Sequence, residues 1–290
     1  MTSAAGTARR VLPRPFRLPR LTERGAGLGI LITAAAAFLL VPLVDPTAPS
    51  ALVAAPSQAP SRQHLFGTDQ LGRDIFVRVF AAGRVDLGVT TCSVLISLCG
   101  GMLIGLVIST LPRAPRTLAL RLVDAMLAIP YLVLVLALAA ALGNRQVLPG
   151  LPRGVGGIVI AVIIAGWAPY ARFTVARALA LRERESVIAA RLLGYSYIRI
   201  LFRHIAPATL STNLSYAAIQ AVSTTGLVAS LAFLGVGVPE PTPELGQMMQ
   251  EGIALLPVAW WISIVPGIVI VILGIGFGLI ADSLSTRNAR

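Results

Sequence analysis

Six runs of about 20 mostly apolar residues, each long enough as a helix to cross a hydrocarbon layer about 30 Å thick, leave this chain few ways to fold. They lie at 25–44, 86–111, 118–142, 154–177, 208–238 and 258–281. An all-α polytopic membrane protein with six transmembrane helices is the expected fold class. Only 12% of the 290 residues are charged and 56% are hydrophobic, against roughly 25% charged in an ordinary soluble domain, which excludes a soluble enzyme. The first run is preceded by Arg9 and Arg10 in the manner of a secretory signal. Its apolar stretch of about 20 residues is too long for a usual signal core and five more spans follow it, so it is read as a retained span.

Charge sets the orientation. The 24 basic residues outnumber the 12 acidic ones, and every basic residue is Arg. Arg-rich short loops resist translocation. With the N-terminus in the cytoplasm, eighteen Arg fall inside, among them Arg14, Arg20, Arg113, Arg121, Arg182 and Arg287, against six outside. Both termini are therefore expected on the cytoplasmic side. The same clusters, set between apolar runs, argue against a nucleic-acid partner despite a pI near 11.3. The lack of Lys excludes a G-x-x-x-x-G-K-[ST] phosphate loop, so any nucleotide is expected on another chain.

No catalytic or metal-binding cluster emerges. Cys92 and Cys99 are seven residues apart within an apolar run, about 10 Å on a helix and beyond disulfide reach. His64 and His204 have no ligand-spaced neighbours.

The longest polar interruption on the cytoplasmic side, 178–207, contains LRERESVIAARLLGYSYIRILFRHIAP from Leu181. It parses as two short helices separated at Gly194, which suits a left-handed cap, with Ser196 capping the second. Ile198, Leu201, Phe202 and Ile205 follow at i, i+3, i+4 and i+7 and are expected to form one apolar stripe. Ala189 and Ala190, one turn before Gly194, offer a place for a partner to approach closely. On the opposite side, residues 45–85 begin Pro/Ala/Ser-rich and end in Phe66-Gly67-Thr68-Asp69-Gln70-Leu71-Gly72-Arg73-Asp74. There Gly67 permits a tight bend, Thr68 or Asp69 can cap a helix, and Gly72 permits close packing. Asp69, Arg73 and Asp74 are expected to pair with one another.

The spacing Ala189-Ala190, Gly194, Pro207 resembles the EAA loop by which permease subunits of binding-protein-dependent ABC importers dock onto their ATPases. Ile188 stands where that pattern has Glu, with Glu185 three residues earlier. Leu65–Asp74 is similar to the F-G-T-D-x-L-G-R-D run of C-type permeases of dipeptide, oligopeptide and nickel importers. Ser230–Pro239 with Pro241-Thr242-Pro243 looks like the same family's L-S-F-L-G-x-G-x-x-P-P-x-P segment. Glu244-Leu245-Gly246 then replaces its frequent Ser-Trp-Gly.

The resemblance implies an ABC type I importer permease fold in a bacterial inner membrane. A tail (1–24) and a first helix (25–44) precede the extracytoplasmic segment (45–85). A five-helix transmembrane domain (86–282) and a tail (283–290) follow. The implied partners are a homologous permease forming a heterodimer, two ATPase subunits that carry the ATP, and an extracytoplasmic binding protein. No cofactor is expected on this chain. The coupling residues implied are Glu185, Ala189, Ala190, Arg191, Gly194 and Pro207. The extracytoplasmic motif is Gly67, Thr68, Asp69, Leu71, Gly72, Arg73 and Asp74. Peptides are the implied cargo, with nickel or another non-peptide solute as the alternative.

Within the spans, a secondary transporter would need titratable groups near the midplane. Asp124 alone comes near, and Arg121 three residues earlier is its expected partner. Thr209, Asn213, Tyr216, Gln220 and Thr224 recur at helical spacing on one narrow polar stripe of the fifth span. Asn213, Tyr216, Gln220 and Thr224 either line a translocation path or bind neighbouring helices, at about 0.6 kcal/mol per contact. Gly101 and Gly105, and Gly274 and Gly278, form two G-x-x-x-G packing motifs, and Pro130 and Pro169 are expected to kink their spans.

Overall fold

The computed structural model describes residues 20–45 and 47–288. The helices are α1 (Arg20–Val44), α2 (Ile75–Thr110), α3 (Arg113–Leu127), α4 (Tyr131–Leu142), α5 (Val155–Arg182), α6 (Glu185–Leu192), α7 (Tyr197–Ile200), α8 (Ala206–Phe233), α9 (Leu245–Gly252) and α10 (Trp261–Asn288). Among the described residues there is no β-strand, only the isolated bridges Leu52 with Arg73 and Thr68 with Asp74. Five helical segments are long and apolar enough to cross a membrane, or six if the bent pair α3–α4 is one span. Arg9, Arg10, Arg14 and Arg290 lie outside the described residues.

Two spans differ from their expected form. α2 begins at Ile75 because the Asp74 carboxylate accepts from the Phe76 amide at 2.8 Å. At 36 residues it runs about 54 Å, so its first turns extend beyond any bilayer core. The run 118–142 is broken, not kinked: α3 stops at Leu127, α4 starts at Tyr131, and their axes meet at 83°. Pro130 disfavours helical geometry at Ile129 and offers no N–H, so the chain turns there. Pro169, by contrast, lies inside an unbroken α5.

α2 and α5 form the central pair. A Cβ at Gly105 would lie 2.7 Å from the Ala171 carbonyl oxygen and from Thr174 Cβ, and Gly101 sits as tightly on Trp167 and Tyr170. This motif therefore packs helices of the same chain. Around the pair, α4, α5 and α8 share a core of Val135, Ile158, Val162, Val228 and Leu231. α2, α9 and α10 share another, of Ile75, Val79, Leu245, Met248 and Ile262. Gly274 and Gly278 meet nothing within 4 Å; α1 and α10 meet instead at Gly27, where a Cβ would lie 2.9 Å from the Gly276 carbonyl.

Gly105→Leu is expected to force α2 from α5, with overpacking costing about 1–3 kcal/mol or more, whereas Gly274→Leu should leave stability unchanged. Thermal unfolding of the two variants in detergent checks this. Equal melting temperatures would contradict the assignment of the α2–α5 contact.

Candidate functional site

The elbow between α5 and α8 is built on a buried base. Leu106 of α2, Ala178 and Leu181 of α5, and Val187, Ala190, Ile200, Leu201 and Ile205 form one cluster, so the elbow is held to the ends of α2 and α5. Gly194 has the left-handed φ of 78°, and Ser196 Oγ accepts from the Arg199 amide at 3.4 Å. Residues 191–199 are all exposed, including Leu192 at 84%, Leu193 at 73% and Ile198 at 69%. Arg182 donates to the Tyr197 hydroxyl and lies over its ring, and Arg199 lies over Tyr195, so two aromatic–cation contacts brace the turn.

Three expectations are corrected here. Ala190 is buried in the chain's own cluster, leaving Ala189 as the outward member of the pair. The four-residue apolar stripe divides: Leu201 and Ile205 point inward with Ile200, while Ile198 and Phe202 point outward. The second short helix does not end before the fifth span, because a π turn over Leu201–Ile205 carries it directly into α8. Pro207 cannot donate to the Arg203 carbonyl and its ring crowds it, and the widened turn just before it relieves that misfit. Glu185, Arg191 and Pro207 are exposed.

At the opposite end, the Gly67–Asp74 motif is a buried ionic knot. Gly67 and Gly72 adopt φ of 77° and 85°. Thr68 Oγ1 donates to the Ala55 carbonyl at 2.8 Å and accepts from the Gln58 amide at 2.9 Å. Asp69 Oδ1 accepts from the Leu71 and Arg73 amides, and Oδ2 meets Arg73 Nε at 2.5 Å and Arg78 at 3.1 Å. Arg73 also reaches Glu240 at 2.8 Å and Glu251 at 3.3 Å, and Arg78 shares Glu251. Burial raises the Glu251 pKa, with Arg78 and Arg73 opposing it. Asp74 is not part of this knot: it caps α2 and meets His64 Nδ1 at 2.7 Å. The cap expected from Thr68 or Asp69 thus belongs to Asp74. Glu240 and Glu251 have no signal in the sequence, because they lie more than 160 residues from the arginines they meet, and Arg78 lies just past the motif, nine residues beyond Asp69.

The polar stripe of α8 also divides. Asn213 is fully buried, and its amide donates to Thr174 Oγ1 at 2.8 Å and the Thr209 carbonyl at 3.1 Å. Tyr216 and Gln220 instead line a cavity of about 310 Å³ at the α3–α4 break, and Thr224 lies buried beside it without forming part of its wall. Tyr216 packs edge-on to Tyr170 and Phe173, each with ring centroids 5.1 Å apart. Asp124 pairs with Arg172 of α5 at 3.3 Å, not with Arg121, because the break swings α3 across α5.

Glu244, standing in the motif's departure from Ser-Trp-Gly, caps α9 through the Gly246 and Gln247 amides at 2.9 and 3.1 Å. The Leu245 amide donates to Asp86 Oδ2 at 3.1 Å, which brings a second buried carboxylate alongside. Burial pushes the Glu244 carboxyl up to about 7, against the lowering effect of its two amide donors.

The profile of the family described as "Binding-protein-dependent transport system inner membrane component" matches residues 99–290. A putative peptide transport system permease protein of Brucella suis biovar 1 is 35% identical over 283 residues, covering 96% of this chain and 88% of the relative. A putative peptide permease protein of the same organism is 34% identical over 261 residues, covering 89% and 83%. A di/tripeptide transport system permease protein of Pseudomonas aeruginosa is 34% identical over 271 residues, covering 90% and 86%.

Two measurements probe the knot and the cap. Arg73→Gln strips the shared cation from three carboxylates and is expected to cost about 3–5 kcal/mol of stability, read as loss of detergent-stable protein. An unaltered melting temperature would refute the knot. Glu244 holds its proton more tightly when folded than its ordinary value of 4.5 would allow. Its contribution to stability is therefore complete below pH 4.5 and lost as pH rises through about 7. Glu244→Gln should flatten the fall in melting temperature across that window; parallel curves for the two proteins would contradict this.

Proposed function

The chain belongs to the family of binding-protein-dependent transport system inner membrane components, and from that membership we propose that it forms half of the membrane path of an ATP-driven importer of short peptides. It is an integral inner-membrane permease component. The printed names of its relatives in Brucella and Pseudomonas support peptides as the cargo. In this reading the other half of the path is a homologous permease. Two separate ATPase subunits bind and hydrolyse ATP, and a binding protein delivers cargo from the far side. The Arg distribution favours both termini in the cytoplasm.

The exposed elbow carries the reading. Apolar side chains at Leu192, Leu193, Ile198 and Phe202 stand outward on a turn braced from within, a patch suited to burial against a partner. From Tyr197 to Phe233 the chain is one helical segment of 37 residues, continuous through the π turn. A displacement imposed at the elbow by an ATPase would therefore reach Tyr216 and Gln220 without crossing a loop. Glu185, Ala189, Arg191 and Gly194 form the surrounding contact surface, and Pro207 sits where the lever enters α8. At the other end, the knot around Arg73 ties α2 to the segment carrying Glu240 and Glu251 and resists that displacement.

The test is reconstitution of the full importer in proteoliposomes. Leu193→Asp combined with Phe202→Asp is expected to abolish ATPase recovery with the tagged chain and ATP-dependent peptide uptake, while the melting temperature of the chain alone stays unchanged. Uphill uptake by this chain alone under an ion gradient would overturn the proposal.

A further inference from the structure

Charged side chains stand on the outer faces of α3 and α5, beside the elbow. α3 starts three residues after α2 ends at Thr110, and its last turn, Met126 and Leu127, lines a cavity with Ala165, Gly166 and Pro169 near the middle of α5. One face of α3, with Ala119, Leu120 and Val123, packs against α5. Arg113, Thr117, Arg121 and Asp124, at steps of four, four and three, form the next face, and all four are exposed. The strip therefore descends from the elbow end of the bundle toward its middle. There Asp124 Oδ1 meets Arg172 Nε at 3.3 Å, with both side chains about half exposed. Arg172 is ten residues, about 15 Å, before the end of α5.

Hydrocarbon rejects charged groups, so a face of a span that carries them meets water or protein. Here the charge is one-sided. Asp124 is the only carboxylate in α3 or α5, whereas Arg113, Arg121, Arg172 and Arg177 are all exposed. Of these arginines, only Arg172 has an ion pair among the described residues. Asp124 engages its Nε, and the terminal nitrogens meet no other carboxylate, so the outer fork of the guanidinium stays open to an anion. Next along the strip, Arg113, Thr117, Leu118 and Arg121 bound an open hollow of about 500 Å³. The strip adjoins the proposed path, because Phe173, the neighbour of Arg172, packs edge-on to Tyr216. An anionic lipid headgroup stays at the membrane surface, whereas Arg172 lies well inside the bundle. A peptide moving along the path brings a carboxylate to that depth.

We propose that this arginine strip lines the elbow-end half of the path and binds the C-terminal carboxylate of the peptide, Arg172 first and then Arg121 and Arg113. It rests on the peptide-import reading and names the part of the cargo that this chain recognises. Asp124 is a positioning residue, which holds the Arg172 guanidinium until the cargo carboxylate displaces it.

The test uses the assembled importer in phosphatidylcholine nanodiscs without binding protein, with Cys92→Ala, Cys99→Ala and the reporter Thr117→Cys in this chain. Trialanine is expected to shield the reporter from maleimide at a concentration about tenfold lower than its C-terminal amide requires. Arg172→Gln should erase that difference. Asp124→Asn should lower the concentration of trialanine needed, a change that loss of structure would not produce. If both peptides shield alike with Arg172 present, or neither shields while proteoliposomes of the same importer take up trialanine, the carboxylate assignment is wrong. A reporter unreactive even without peptide would mean that the partner permease covers the strip, and shielding by added phosphatidylglycerol alone would make the anion a lipid; either result overturns the proposal. If the proteoliposomes take up no trialanine, the import reading fails and this one with it.

Discussion

The contact of α2 with α5 at Gly101 and Gly105 is what the other features lean on. Without side chains at those positions the two backbones approach closely, and lipid offers no hydrophobic drive that could replace such packing. The approach sets Ser97 of α2 beside Gly166 of α5, and Gln220 of α8 closes onto the same point. One pair of glycines thereby positions three helices around the polar interior of the span bundle. It also holds Leu106 against Ala178 and Leu181, the floor on which the elbow is built.

The two ends of the bundle are stabilised by opposite means. At the Gly67 end, two arginines and three carboxylates, with Arg73 and Asp69 almost fully buried, bind segments far apart in sequence. A buried ion pair is costly to break from either side, which suits a fixed anchor. At the Gly194 end the cluster beneath the elbow is apolar, and Leu192, Leu193, Ile198 and Phe202 face outward above it. Apolar contacts are non-directional, so such a surface can follow a moving partner without losing specific hydrogen bonds. A continuous helical segment joins this end to Gln220, and the bent pair α3–α4 lies next to it.

Much of the candidate site was legible in the sequence, but only in outline. The left-handed glycine at 194, the Ser196 cap and the burial of the α8 polar stripe follow from local rules. Which members of that stripe serve which purpose does not: Asn213 meets Thr174 from another helix, while Gln220, two turns on, meets a cavity. Pro130 announced a disturbance, yet a kink and a full 83° break look identical in one dimension. The π turn before Pro207 had no sequence signal beyond the proline itself.

Hydropathy and charge depend on each residue's own transfer free energy, so the apolar runs, the expected orientation and the exclusion of a soluble or phosphate-loop enzyme could be read residue by residue from the sequence. The identity of a polar group's partner depends on where distant segments come to rest. Tertiary structure alone decided that Asp74 caps α2 while Asp69 takes Arg73 and Arg78, that Asp124 pairs with Arg172, and that Tyr131 comes to lie beside Gln220. Each of those outcomes turns on ångström distances between helices, which follow from how close the small residues let the backbones come.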